Sequence, residues 1–528
     1  MKAIWPLIVL AGLAPLAGAQ QVNRVSGIAG ESHRVEDSTV LANGDVALAG
    51  ERYYFGPSFT VLATLSRAQP DGTPIWTLSI DNIGEVSTGF GVRELEDTSM
   101  LFGFHTGPLG RALGLARVSA AGVPIWVRSY PGDTSYGAAG MERDRTIAGE
   151  FAVIANRATL PAGTSGQLLR IETLFGNTIF NRAYAPDGVL TSYAVFNDLD
   201  FEIDSGDYYV AGSVARIIGE DEYENDLLVA RIQRFSGGLI WCKAYTLPPH
   251  EEGWPRTEEG CSIELDSAGF VHVIARAETP LEDFGQPGAL HLKLDPANGN
   301  VLATSFLDDV EPALSSLDRL SNGNLLASGR RTFGDGQGQA QMWEVSSADS
   351  LSPWRAEYTN GTSSGNDAVE HTTAGGTFLT LSGWNYPDSI NPIGSPDQLF
   401  IQTDLFGDDG CSSLIWTPEP FSPSVEVNDV LLTVVNLEPG QALQTQNSST
   451  VLETALVCGP GTDCPGDLNN DGFVDDADFV LFAAAYDLLD CFDPSMPPGC
   501  PADLNGDDIV DDSDFVLFVA AYNELVCP

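Results

Sequence analysis

The chain has 528 residues, 73 Asp and Glu against 25 Lys and Arg, and a formal net charge of -48. So acidic a surface repels phosphate backbones and anionic membrane surfaces, which excludes nucleic acid as a partner. Lysine occurs only at positions 2, 243 and 293, and no Lys or Arg follows Arg355.

Residues 1–19 read as a signal peptide. Lys2 supplies the positive start, Ile4 to Leu16 the apolar run, and Ala17, Gly18 and Ala19 the small-residue cleavage site,. Export to the extracellular space or surface is therefore expected. No other stretch is long and apolar enough to span a bilayer. Eight cysteines in an exported chain predict disulfides,.

From 20 to 416 a Gly-x-x-x-aromatic signal recurs. It ends at Trp76, Trp126, Phe180 and Trp241, with weaker copies ending at Trp354 and Trp416. A copy that has lost its aromatic ends at Ala303. The seven positions lie 50 to 62 residues apart, and Tyr130, Tyr184, Tyr245 and Tyr358 each follow an aromatic by four. A Gly turn and a small-residue strand precede most copies, as in Asn43 to Gly50, Ser205 to Gly212, Asn322 to Gly329 and Gly375 to Gly383,. Four strands per unit and seven units predict a mainly β fold, a seven-bladed β-propeller. Paired β-sandwiches are the alternative, and the regular aromatic spacing argues against them. The units resemble bacterial secreted seven-bladed repeat proteins and, more distantly, quinoprotein propellers, in which such tryptophans dock blade on blade. The resemblance implies that Trp76, Trp126, Phe180, Trp241 and Trp354 are buried between blades. Adjacent blades are expected to join Cys242 to Cys261.

Two acidic segments, Ile217 to Asn225 and Pro248 to Glu259, read as long loops. They hold Asp221, His250, Glu251, Glu252 and Trp254. A glycan-processing site would use Trp254 as a stacking face and two carboxylates as acid and base. A solvated acidic loop is the simpler reading. No nucleophile elbow, zinc-protease or phosphate-loop motif is present.

Residues 417–458 alternate in polarity and either close the ring or form a small β-appendage. Cys411 and Cys458 bracket them and would pair. Residues 459–462 are a Gly/Pro linker.

Residues 463–528 contain two copies of one acidic loop. Asp467, Asn469, Asp471, Asp475 and Asp478 fall at positions 1, 3, 5, 9 and 12 of the first, and Asp503, Asn505, Asp507, Asp511 and Asp514 at those of the second. Phe473 and Ile509 would add backbone carbonyls. This spacing wraps oxygen ligands around a hard cation, so two Ca2+ ions are expected. Asp508 stands where a tight turn favours glycine, which weakens the second loop. An apolar helical pattern follows each loop, Phe479 to Tyr486 and Phe515 to Tyr522.

Loop then helix, twice and without an entering helix, resembles the dockerin family. The resemblance implies attachment to a cohesin-like protein or surface partner. Residues 476, 477, 512 and 513 at the partner-contacting positions are more acidic than in well-known dockerins. If the helices run antiparallel, as in dockerins, Cys491 pairs with Cys500 and Cys464 with Cys527. The whole chain then reads as an exported propeller for binding or display, with a carbohydrate as a possible ligand and a calcium module for attachment. The alternative is a polysaccharide-degrading enzyme, a glycoside hydrolase or polysaccharide lyase, with its site on the propeller. Carboxylates converging at the axis would favour the enzyme; small and apolar residues there would favour binding.

Overall fold

The computed structural model describes residues 22–522 with gaps. The gaps are chiefly the connections between blades and between second and third strands, together with 417–421, 459–465 and most of 467–475, 492–499 and 503–508. Seven antiparallel sheets form seven blades. Blades 1 to 6 occupy 31–81, 88–130, 141–186, 191–246, 258–308 and 311–358. Blade 7 takes three strands from 362–403 and its fourth, Val22–Gly27, from the other end of the chain, paired Val25 to Leu399. That hydrogen-bonded seam closes the ring.

The recurrent motif acts between blades. Gly122 has φ 80° and Gly176 φ 68°, a conformation open to glycine,. A side chain at Gly122 would collide with Trp76 of the preceding blade, and one at Gly407 with Trp354. The indole N–H of Trp76 donates to Ala120 O at 3.2 Å, and that of Trp241 to Pro296 O at 3.0 Å. Four residues on, the tyrosine hydroxyl donates to the carbonyl of the next blade's glycine: Tyr130 to Gly176, Tyr184 to Gly237, Tyr245 to Gly299 and Tyr358 to Gly407, at 2.6–2.9 Å.

A cation on the third strand adds a second latch. Arg67 pairs with Asp45 of its own blade at 2.6 Å and donates to Ala120 O of the next at 2.7 Å. Arg117 pairs with Asp97 and donates to Thr173 O. Arg231 pairs with Asp207 and donates to Pro296 O. In blade 5, where the aromatic and tyrosine are Ala303 and Leu307, Lys293 reaches Ser347 O at 2.5 Å and Asp266 at 3.4 Å.

Four expectations need correction. Trp416 is not the aromatic of blade 7; it lies in Ser413–Trp416, which pairs with the outer strand of blade 6, because blade 7 is completed by Val22–Gly27. Trp126 and Trp241 are half-buried, unlike Trp76, Phe180 and Trp354. Cys242 and Cys261 are both buried and free. Cys242 lies on an outer strand, and Cys261 in a bulge of the neighbouring innermost strand, at opposite edges of their blades. Ile217 to Asn225 is mostly hairpin: the second and third strands of blade 4 extend into it, pairing Ile217 with Tyr223.

The segment 413–458 travels back around the rim. Ser413–Trp416 adds a fifth strand to blade 6, Glu426–Asp429 to blade 4, Leu432–Asn436 to blade 3, Gln441–Ala442 to blade 2, Gln446–Thr450 to blade 1 and Glu453–Cys458 to blade 7. Blade 5 has four strands among the described residues. Among the described residues the strap meets blade 5 at Thr304, whose Oγ1 donates to Pro423 O at 2.9 Å.

In the C-terminal region two helices are described, α1 (Asp476–Tyr486) and α2 (Asp512–Tyr522). Phe482 and Phe518 stack at 4.9 Å and form a small core with Ala485, Ala502 and Val510. Cys491 and Cys500 are disulfide-bonded, as expected, with Cα atoms 5.4 Å apart. Cys464, Cys527 and Cys411 lie outside the described residues.

The unequal burial of the tryptophans gives a prediction. Trp354→Ala should cost about 3–5 kcal/mol and lower the melting temperature more than Trp126→Ala does. Equal shifts in calorimetry would contradict the latch described.

Candidate functional site at the seam of blades 1 and 7

The innermost strands carry a repeated irregularity. Register shifts occur between Val35 and Asp37, Gly89 and Gly91, Phe196 and Asp198, Gly260 and Ser262, and Gly365 and Asp367. A bulge bends its strand and re-aims one side chain. Here it turns the next residue toward the neighbouring blade. Asp37 accepts from Val92 N at 2.7 Å and Arg93 Nη1 at 2.6 Å. Asp198 accepts from Ser262 Oγ at 2.6 Å and Ile263 N at 3.0 Å. Asp367 accepts from Ser38 N at 2.8 Å and Ser38 Oγ at 2.5 Å.

Carboxyl groups thus converge at the axis, but these three serve as clips between blades. Burial raises all three above the ordinary carboxylate range, Asp198 to about 7, despite the hydrogen bonds that oppose it. Burial also works against the charge of Arg93, but Asp37, Glu142, Asp367 and Asp198 outweigh it and hold the guanidinium charged.

The bulge residues differ in kind. In blade 1 the bulge residue is Glu36, half-buried beside blade 7. Asn366, the bulge residue of blade 7, donates from Nδ2 to Val35 O at 2.6 Å and to Glu36 Oε2 at 3.2 Å. Burial pushes the Glu36 carboxyl up to about 8; Glu51 adds to the shift and Arg34 opposes it. Arg34 lies 5.5 Å from the ring centre of Tyr53 and 5.6 Å from that of Trp384 in blade 7. Its nearest carboxylate oxygen is Glu51 Oε1 at 3.9 Å. The Tyr53 hydroxyl donates to Glu51. Burial raises Glu51 too, against that bond and the Arg34 charge. The seam therefore gathers two carboxyls raised by burial, a guanidinium and two aromatic rings.

None of these residues was singled out by sequence. A signal existed: Glu36-Asp37, Asn197-Asp198 and Asn366-Asp367 repeat one Glu/Asn-Asp pair at the same place in the inner strand. Of the residues that sequence did propose, Asp221, His250, Glu251, Glu252 and Trp254 lie outside the described residues. So do Asp467, Asn469, Asp471, Phe473, Asp475, Asp503, Asn505 and Asp507. Asp478 and Asp514 are described, and both are fully buried. Asp478 Oδ1 accepts from Leu468 N at 2.7 Å and Asp514 Oδ1 from Leu504 N at 2.8 Å, equivalent bonds in the two copies. Asp511 N donates to the second Asp514 oxygen at 2.9 Å.

No protein-family model matches the chain, and no curated protein matches it in sequence. Solved structures align with the chain at low identity. Polysaccharide lyase Uly1 is 11% identical over 73% of this chain and 100% of its own, with a TM-score of 0.41. The Penicillium chrysogenum α-L-arabinanase complexed with arabinobiose is 11% identical over 73% and 98%, TM-score 0.37. An exo-β-1,3-galactanase from Clostridium thermocellum is 12% identical over 55% and 64%, TM-score 0.33. Likeness at this level assigns no activity. No helix among the described residues is long and apolar enough to cross a membrane.

The Glu36 shift fixes the sign of a pH effect. A carboxyl whose folded pKa is raised above its unfolded value binds more protons when folded, so its contribution falls as pH rises from about 4.5 to about 8,. Glu36→Gln should leave the melting temperature near that of the parent at pH 5 and raise it relative to the parent at pH 9, by about 2–4 °C. A difference that is the same at both values would place the raised carboxyl elsewhere.

Proposed function

We propose that the protein is exported and acts on a polysaccharide at the seam of blades 1 and 7, with Glu36 as general acid. One observation carries this reading: Glu36, whose carboxyl accepts from Asn366 and is pushed up by burial, shares the seam with the Glu51 carboxyl, the Arg34 guanidinium and the rings of Tyr53 and Trp384. A general acid for glycosidic-bond cleavage must hold its proton at working pH, and burial beside another acid is how a carboxyl achieves that. Tyr53 and Trp384 offer ring surface for a sugar, and Glu51 is the candidate second carboxyl. The axial aspartates are occupied by neighbouring backbone N–H groups and are assigned no chemistry. This reading is preferred to simple display because Glu36, unlike the axial aspartates, is not taken up by backbone N–H groups of the next blade and lies beside Arg34 and two rings.

The test is a panel of soluble polysaccharides incubated with the full chain, with new chain ends followed by reducing-end and unsaturation assays. Glu36→Gln should lower cleavage at least about 100-fold with an unchanged circular dichroism spectrum. Cleavage undiminished in Glu36→Gln would remove the assignment. Glycan binding with no cleavage would return the protein to the binding class.

For the C-terminal region we propose a dockerin-like module that binds two Ca2+ ions and attaches the propeller to a partner. Asp478 and Asp514 stand at position 12 of the two copies, are fully buried and accept equivalent bonds from Leu468 N and Leu504 N. The repeated set of oxygen-bearing side chains fits a hard cation held by Asp467, Asn469, Asp471, Asp475 and Asp478, and by Asp503, Asn505, Asp507, Asp511 and Asp514. Calcium would fix each loop against its helix. Titration calorimetry of the full chain after chelation should show two uptake events per chain, with Asp478→Ala removing one. No uptake would end the calcium assignment.

A further inference from the structure

In a chain of net charge -48, most of the few cations are engaged internally. At the same end of the second strands, Arg52 closes on Glu31, Arg216 on Asp226, and Arg276 and Arg330 on Glu311. Arg34 differs. Its closest carboxylate oxygen, at 3.9 Å, is beyond hydrogen-bond distance, and its Nε is buried with no acceptor. Its side chain is 35% exposed, and its charge rests on the rings of Tyr53 and Trp384. Arg52 and Arg157 also have a buried Nε without an acceptor, and Arg234 also lies over two rings, Phe201 and Phe235, but Arg234 is buried; among the described residues Arg34 joins both features to a partly exposed side chain.

A guanidinium is a planar fork of five donors suited to carboxylate or sulfate oxygens. One that rests on two aromatic rings, is 35% exposed and has its nearest carboxylate oxygen at 3.9 Å is placed to accept such a group,. We infer that Arg34 is an anion subsite, and that the glycan taken at this seam carries a carboxylate or a sulfate ester. The inference rests on the seam being the glycan site. Two further facts agree with it. The neighbouring Glu36 is neutral near pH 7 and does not repel an anion, and Glu51 is also shifted toward its neutral form. The strongly negative remainder of the protein discourages anionic polymers elsewhere, so a local cation gives position as well as affinity.

The experiment applies the full calcium-loaded chain to a glycan array holding neutral, uronate-bearing and sulfated polysaccharides, followed by calorimetry on the strongest hits. The expected hits are anionic; whether uronate or sulfate glycans dominate identifies the group that Arg34 reads. Arg34→Gln should weaken them by about tenfold or more. Arg34→Lys, which keeps the charge but not the fork, should fall between and guards against a folding defect in the first variant. Neutral hits that Arg34→Gln leaves unchanged would overturn the anion subsite while leaving the seam as a glycan site. Anionic hits indifferent to both variants would also overturn it. An array with no hits, and no cleavage of the same glycans, would overturn both.

Discussion

The ring depends on one contact repeated at most joints: a glycine with positive φ under the aromatic ring of the preceding blade, with, at four joints, a tyrosine hydroxyl donating to the glycine carbonyl. A Cβ at Gly122 would strike Trp76, so the turn must be glycine. The carbonyl of Gly176 is buried and would be costly without Tyr130,. Arg67, Arg117 and Arg231 reinforce the joint by donating to the same turns. Blade 5 shows what happens when the aromatic and the tyrosine are lost. Lys293, held over the ring of Phe270 at 4.5 Å and bonded to Ser347 O, carries that joint instead. The buried pair His272 and His291 lies beside it, with burial holding both imidazoles below their ordinary range and therefore neutral.

The strap addresses a different problem. A propeller built only from the repeats would present seven outer strands with unpaired N–H and C=O groups, an invitation to edge-to-edge association. Six of those edges are covered by the chain's own segment 413–458. The run back from blade 6 to blade 7 also places Glu453–Cys458 directly over Val22–Gly27. The strand that closes the ring is thereby held on both sides, by blade 7 and by the strap.

The fold was legible because its signal is local. Gly-x-x-x-Trp with a tyrosine four residues on encodes a turn, a ring and a hydroxyl in one stretch, and the spacing of the copies gives the blades. Two features were not legible, for one physical reason: both depend on pairing between distant parts of the chain. Nothing within Val22 to Gly27 says that it joins residues nearly 400 positions away, and Trp416 imitates the blade motif closely enough to be counted as one. Cys491–Cys500 was readable through the dockerin resemblance, whose antiparallel helices imply that one helix end meets the start of the other loop. Cys242 and Cys261 were misjudged because adjacency of blades was taken for adjacency of strands.

The candidate site shows how a structural device and a chemical one arise from the same bulge. Consecutive residues, Glu36 and Asp37, have opposite fates. Asp37 follows the bulge, points across the joint and is satisfied by Val92 N and Arg93. Glu36 is the extra residue, so the ladder gives it no partner strand and its side chain is free to face the seam. In blade 7 the same position is Asn366, which holds the Val35 carbonyl and the Glu36 carboxyl together. An asparagine can hold Glu36 without charging it, where a lysine or arginine in that place would favour the carboxylate and depress its pKa. Burial therefore sets the acidity of Glu36, and the closing joint of the ring is what supplies that burial. A propeller closed less tightly between blades 1 and 7 would hydrate Glu36 and return it to an ordinary carboxylate, so the ring's stability and the chemistry proposed at its seam are the same constraint.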